Sequence, residues 1–151
     1  MSRVALDSNL LVYAELEPES AKGRLAAGVI LRAAVDGVIS AQVLGEFLRV
    51  VQRKAPVALP EALVQVALYR AAFLSPPSTD EIIMAAAELA LTSRLQLWDA
   101  VVCVTAFRAG ARTLLSEDMQ DGGMISGLRI INPFNPANTA LLRDLVGEGP
   151  Q

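Results

Sequence analysis

The apolar residues fall into two kinds of run, short blocks of three to five residues and longer stretches at helical spacing, and the two alternate along the chain. Val4–Leu6 reads as a short buried strand, with Asp7-Ser8-Asn9 as a helix-start signal and Leu10–Glu15 as the first helical turns. Glu17-Pro18-Glu19-Ser20 is a break, and Ser20 can cap a helix running to about Val35. Asp36-Gly37 ends that helix, and Val38-Ile39-Ser40 follows as a second short strand. From Gln42 to Lys54 the pattern is amphipathic, with Val43, Leu44, Phe47, Leu48, Val50 and Val51 on one face.

Pro56 and Pro60 bracket a linker before an apolar-faced helix over Glu61–Leu74. Ser75-Pro76-Pro77-Ser78 stops it, and Thr79-Asp80-Glu81 opens another that runs to about Ser93. Trp98–Ala109 is apolar on nearly every side, the mark of a buried helix, with Gly110 placed for its cap. Thr113–Ser116 and Leu128–Asn132 read as the last strands, around a turn at Asp121-Gly122-Gly123. Beyond Pro133 the chain is loop-like, with a short helix over Thr139–Val146 and a polar tail. Short apolar strands separated by helices predict an α/β fold, a parallel sheet covered on both faces. Ligand sites in such sheets gather at the carboxyl ends of the strands.

Four acids sit beside those apolar runs, where a charge does nothing for packing. Asp7 ends the first strand, Glu46 edges the apolar face of Gln42–Lys54, Asp99 opens the buried helix, and Asp118 follows the strand at Thr113–Ser116. Each has a structural use as well. Asp7 can cap its helix, Glu46 can pair with Arg49 or Arg53 at helical spacing, and Asp99 suits a helix dipole. The turn that holds Asp118 also holds Glu117 and Asp121. What argues for chemistry is the joint pattern. Two unit charges 4 Å apart repel by about 4 kcal/mol at an effective dielectric near 20, so gathered carboxylates call for a cation.

Composition narrows the chemistry. The chain of 151 residues has no histidine and one cysteine, Cys103. That excludes histidine-based catalysis and any multi-cysteine zinc site. Oxygen donors alone select Mg²⁺ or Mn²⁺, and Mg²⁺ suits phosphate substrates. The net charge of −3 supplies no global attraction for nucleic acid, so contact with it must use the metal or local cations such as Arg49, Arg53 and Lys54. The hydrophobic fraction, 53%, leaves room for an apolar partner surface. No charge-free apolar run approaches the roughly 20 residues a membrane helix needs, and the first residues lack a signal-peptide core. A cytoplasmic protein is the expectation.

With these residues in view, the chain resembles the PIN-domain family and, within it, the VapC-type toxins of bacterial toxin–antitoxin pairs. Leu6-Asp7-Ser8-Asn9-Leu10-Leu11-Val12-Tyr13-Ala14 is similar to the family's first strand and first acid. Ser40-Ala41-Gln42-Val43-Leu44-Gly45-Glu46-Phe47 resembles the helix of the second, and Trp98-Asp99-Ala100 the segment of the third. Leu115-Ser116-Glu117-Asp118-Met119-Gln120-Asp121-Gly122, with Ile131-Asn132-Pro133-Phe134, resembles the closing motif. The likeness departs at Gly45, where close relatives often carry Asn.

The resemblance implies a three-layer α/β/α fold, with a short parallel sheet of about five strands. Residues 1–134 would form the nuclease domain and 135–151 a tail. It further implies a metal-dependent ribonuclease, a toxin cutting RNA, dimeric and held by a cognate antitoxin. Asp7, Glu46, Asp99 and Asp118 would be the catalytic, metal-holding acids, with Asn9, Ser116 and the less closely matching Asp121 in support. Two rival readings remain open, a PIN-like protein-interaction module and a Mg²⁺-dependent phosphatase. The phosphatase chemistry wants an Asp two positions after Asp7, where this chain has Asn9.

Overall fold

Leu6, Leu114, Leu115, Ile130 and Ile131 are among the largest fully buried side chains, and they sit on three adjacent strands. In the computed structural model, which describes residues 2–148, those strands are β1 (Arg3–Leu6), β2 (Ala111–Leu115) and β4 (Leu128–Ile131). β1 pairs parallel with β2 and β2 parallel with β4, Leu6 opposite Leu115 and Leu115 opposite Ile131. A two-residue strand, β3 (Met124–Ile125), closes the order β1-β2-β4-β3 and runs antiparallel to β4.

Two single bridges, Ala5 to Val38 and Val38 to Leu74, extend the pattern beyond β1. The strand expected over Val38–Ser40 is therefore reduced to one bridging residue, Val38. Its residues are buried, but Ser40 is already capping the next helix. The ladder has four strands, where about five were expected.

The described residues form seven α-helices around this sheet: α1 (Ser8–Leu16), α2 (Ala21–Ala33), α3 (Ala41–Lys54), α4 (Leu59–Ala72), α5 (Asp80–Thr92), α6 (Leu97–Arg108) and α7 (Thr139–Val146). Ser20, Ser40 and Thr79 each accept an N–H at the start of α2, α3 and α5, satisfying backbone donors that the helix leaves unpaired. α1 packs on α2 and α3, while α5 packs on α6, which lies against β2. The main core joins the sheet to α1–α4 and to one side of α6; a smaller cluster of Ile82, Ala86, Ala100 and Val101 seals α5 against α6. This is the mixed α/β arrangement expected, close to three layers.

β3 went unread in the sequence although its turn is legible. Ser126 (φ 49°) and Gly127 (φ 89°) join Ile125 to Leu128 with both residues left-handed, the pattern of a two-residue hairpin. A side chain at Gly127 would press on the Phe107 ring. α7 buries Leu142 and packs on α2. The polar tail beyond Glu148 lies outside the described residues.

Candidate functional site

β1 and β2 are parallel neighbours, so their carboxyl ends lie side by side and the residues that follow, Asp7 and Ser116, emerge together. The backbone seals this end of the sheet: Asp7 N donates to Leu115 O, and Ser116 N to Ile131 O, both at 3.0 Å. Asp7 is 6% exposed. It caps α1, one of the structural uses open to it in the sequence, with Oδ1 accepting Ser8 N at 2.8 Å. Its other oxygen, Oδ2, accepts the buried Ser116 hydroxyl at 2.7 Å. The two oxygens of this carboxylate thus have separate partners, one at the helix start and one at the β2 end.

Asn9, in the first turn of α1, ties this acid to the β2 loop. Its amide nitrogen lies 3.5 Å from Asp7 Oδ2 and from Ser116 Oγ, and 3.4 Å from Asp118 Oδ2. These contacts are long, as expected when two amide hydrogens are shared among three acceptors. Asn9 Oδ1 accepts Glu117 N at 3.3 Å, and Asp118 N donates to Ser116 Oγ at 3.3 Å. Ser8 Oγ reaches Glu46 Oε2 at 3.3 Å. Glu46 Oε1 accepts Gln42 Nε2 at 3.0 Å, and the same nitrogen donates to Trp98 O at 3.0 Å. Gln42 therefore joins the helix of Glu46 to the start of the helix that carries Asp99. Gln42 was passed over in the sequence; its position one turn before Glu46 is the available signal.

The electrostatics show one cluster. Burial pushes the Asp7 carboxyl up to about 6, with lesser contributions from Glu46 and Asp99, against the lowering effect of the Ser116 and Ser8 hydrogen bonds. Asp99 is raised by burial first and then by Glu46 and Asp118. Burial also pushes the Cys103 thiol up to about 12, helped by Asp7 and Asp99. Among the described residues none of the four acids has a Lys or Arg within ion-pair distance.

The other acids of the β2 loop are engaged elsewhere. Glu117 receives the Tyr13 hydroxyl at 2.7 Å and Lys22 Nζ at 2.8 Å. Burial raises its pKa, but those two partners outweigh it and hold the carboxyl below its ordinary range. Asp121 accepts Asn132 N and the side chains of Asn135 and Asn138, all at 2.9–3.0 Å. It organises the link from β4 to α7, apart from the other acids. Asp118 is the member of this loop that Asn9 reaches. Arg49, Arg53 and Lys54 are exposed on the helix of Glu46. Gly45 faces open space, so the missing Asn removes no packing.

The donor set suits Mg²⁺ or Mn²⁺: carboxylates, an amide and hydroxyls, without nitrogen or sulfur ligands. As placed, no three acidic side chains among the described residues converge enough to hold one ion together. Burial first, and then the neighbouring acids, raises the pKa of Asp7 and of Asp99, so each carboxyl is harder to ionise without a cation. The fit lies in an anion-rich site with one deeply buried carboxylate, Asp7.

A family model described as the PIN domain matches residues 4–120. No curated protein sequence matches the chain. Among solved structures, the chain is similar to Mycobacterium tuberculosis VapC20, a toxin that cleaves the sarcin–ricin loop, with 15% identity and a TM-score of 0.63 over 76% of this chain and 89% of that one. A toxin–antitoxin complex from Klebsiella pneumoniae matches at 18% identity and a TM-score of 0.64, over 87% and 98%. VapBC2 from Rickettsia felis, bound to a DNA fragment of its promoter, matches at 16% and 0.62, over 85% and 97%. At such identities the likeness is one of fold. The matched family model spans β1 through the loop that carries Asp118, and on that ground the chain belongs to the PIN-domain family.

Proposed function

We propose that this protein is a metal-dependent endoribonuclease, the toxin of a toxin–antitoxin pair. The observation that carries the reading is the junction at Asn9, where acids 111 positions apart in sequence come within reach of one amide, with Glu46 and Asp99 coupled to them. Family membership and three toxin-related neighbours point the same way.

In this reading Asp7, Asp99, Asp118 and Glu46 hold Mg²⁺ or Mn²⁺. The bound ion supplies charge stabilisation on a phosphoryl oxygen and a water acidic enough to attack. Asn9 and Ser116 set the orientation of Asp7 and Asp118, and Ser8 and Gln42 that of Glu46. The floor of the site, Cys103 and Met119, is buried and apolar, which strengthens every charge interaction above it. Arg49, Arg53 and Lys54, exposed on the Glu46 helix, would hold RNA phosphates in this reading.

A partner surface is available. α4 buries Ala62 and Tyr69 but leaves Leu63, Val64 and Leu68 more than half exposed, which suits a second copy of the chain or the apolar face of an antitoxin. Among the described residues no helix is long and apolar enough to cross a membrane.

The test is cleavage of a mixed-sequence RNA with Mg²⁺ and with EDTA, by the wild type and by Asp99→Asn. Cleavage that needs Mg²⁺ and falls at least 100-fold in the variant, with thermal stability unchanged or higher, is the expected result. Cleavage by Asp99→Asn at the wild-type rate overturns the assignment.

A further inference from the structure

The bend that carries Asp118 is built without backbone help. Among the described residues, Glu117, Asp118 and Met119 make no backbone-to-backbone hydrogen bond, although Ser116 N just before them donates to Ile131 O at 3.0 Å. Side chains therefore hold the bend. Met119 is buried on one flank of Asp118. On the other, Glu117 makes the shortest contacts of the loop: Oε1 accepts the Tyr13 hydroxyl at 2.7 Å, and Oε2 accepts Lys22 Nζ at 2.8 Å. The bonds nearer Asp118 are longer. Glu117 N to Asn9 Oδ1 and Asp118 N to Ser116 Oγ are both 3.3 Å, and Asn9 Nδ2 to Asp118 Oδ2 is 3.4 Å. Asp118 itself is exposed.

An isolated surface ion pair, such as Arg143 with Glu148 at 3.6 Å, orders little. Lys22 differs because its ammonium is held from several sides. Nζ lies 3.4 Å from Tyr13 Oη, and 5.2 and 5.5 Å from the ring centroids of Tyr13 and Phe134, within cation–π range. The two rings meet edge to face at 5.1 Å. Phe134, the last residue of the Asn132-Pro133-Phe134 motif, is fixed in turn by its N–H, which donates to Asn132 Oδ1 at 2.9 Å. Segments from α1, α2, the loop after β2 and the chain after β4 thus close on one carboxylate. Linked contacts of this kind hold a side chain more firmly than any one of them alone.

We propose that Lys22, Tyr13 and Phe134 form a clamp that positions Asp118 through Glu117. The clamp fixes one end of the bend, buried Met119 fixes the other, and Asp118 between them is kept facing Asn9 and the remaining acids. This role rests on the nuclease reading, in which Asp118 helps to hold the metal. Lys22, neutralised by Glu117, serves as an internal strut.

The experiment has two readouts: calorimetric titration with Mn²⁺, and amide hydrogen exchange in EDTA at Glu117 and Asp118 with Asp7 as reference. Lys22→Met and Glu117→Gln each remove one end of the pair, and Arg143→Gln breaks the isolated surface pair as a control. Both clamp variants should weaken Mn²⁺ binding about tenfold, at the low end of the range for partners behind a metal ligand. Through-space charge alone predicts opposite signs, because loss of a cation should tighten Mn²⁺ and loss of an anion should loosen it. Exchange at Glu117 and Asp118 should quicken about tenfold in Lys22→Met, with Asp7 unchanged. Arg143→Gln should alter neither readout. In an Asp118→Asn background, Lys22→Met should weaken Mn²⁺ no further.

Tighter Mn²⁺ binding by Lys22→Met, equal weakening with and without the Asp118 carboxylate, or exchange as slow as in the wild type overturns the clamp and leaves the metal reading standing. Faster exchange at Glu117 and Asp118 in a protein that binds no Mn²⁺ supports the clamp and sinks the metal reading.

Discussion

Replacing Asp7 with Asn should make the metal-free protein more stable at neutral pH, although the residue sits at the centre of the site. Burial holds its carboxyl near 6 against an ordinary 3.8, so at pH 7.5 the folded chain must keep an ion where the neutral acid is preferred. A gap of about two units corresponds to about 3 kcal/mol, at about 1.4 kcal/mol per unit. Between pH 4 and 6 the folded state binds more protons at Asp7 than the unfolded state does. The wild type therefore loses stability as pH climbs through that window and levels off above it.

Asn keeps an oxygen to accept Ser8 N, and its amide can donate to the Ser116 hydroxyl. The variant gives up only charge-assisted strength in bonds now made by Asp7, so a net gain of about 1–2 kcal/mol remains. Urea denaturation in EDTA at pH 7.5 and pH 4 measures it, and the gain should shrink toward zero at the lower pH. Saturating Mg²⁺ should reverse the order, because binding at 100 times Kd adds about 2.7 kcal/mol to the wild type alone. A variant less stable than the wild type in EDTA at pH 7.5, or a difference independent of pH, would refute the idea of a strained anion.

Ser116→Ala removes the short hydrogen bond that lowers the Asp7 pKa. It should destabilise by about 1–3 kcal/mol and shift the pH midpoint of Mn²⁺ binding upward, read by calorimetric titration across pH. Cys103, buried and with its thiol pushed up to about 12, should resist a thiol reagent at pH 8 until urea unfolds the chain. Gly23→Ala should cost about 2–4 kcal/mol of unfolding free energy, read by urea denaturation, because its methyl would overlap the Glu17 carbonyl where α2 starts beside the end of α1.

Most helices were legible because their signals are local. Ser20, Ser40 and Thr79 announce their helices by residue type, and the apolar face of α3 is written in its spacing. The four acids stood out for a related reason: a charge next to a buried strand or helix is anomalous in one dimension as in three. What escaped depends on contacts between distant segments. That Glu117 turns to Lys22 while Asp118 turns to Asn9 is decided across about a hundred positions, within one loop of similar acids. Asp121 looked like a supporting acid until its three asparagine partners came into place around it. Val38–Ser40 has strand composition, yet only Val38 bridges its neighbours, Ala5 on one side and Leu74 on the other.

The most direct test of the central claim is a crystal of the protein soaked in Mn²⁺ and measured for anomalous scattering. The account predicts a peak at the carboxyl ends of β1 and β2, within coordinating distance of Asp7 and at least two of Glu46, Asp99 and Asp118, and lost in crystals of Asp99→Asn. A peak elsewhere on the surface, or none at these acids when the soak saturates other carboxylates, would contradict it.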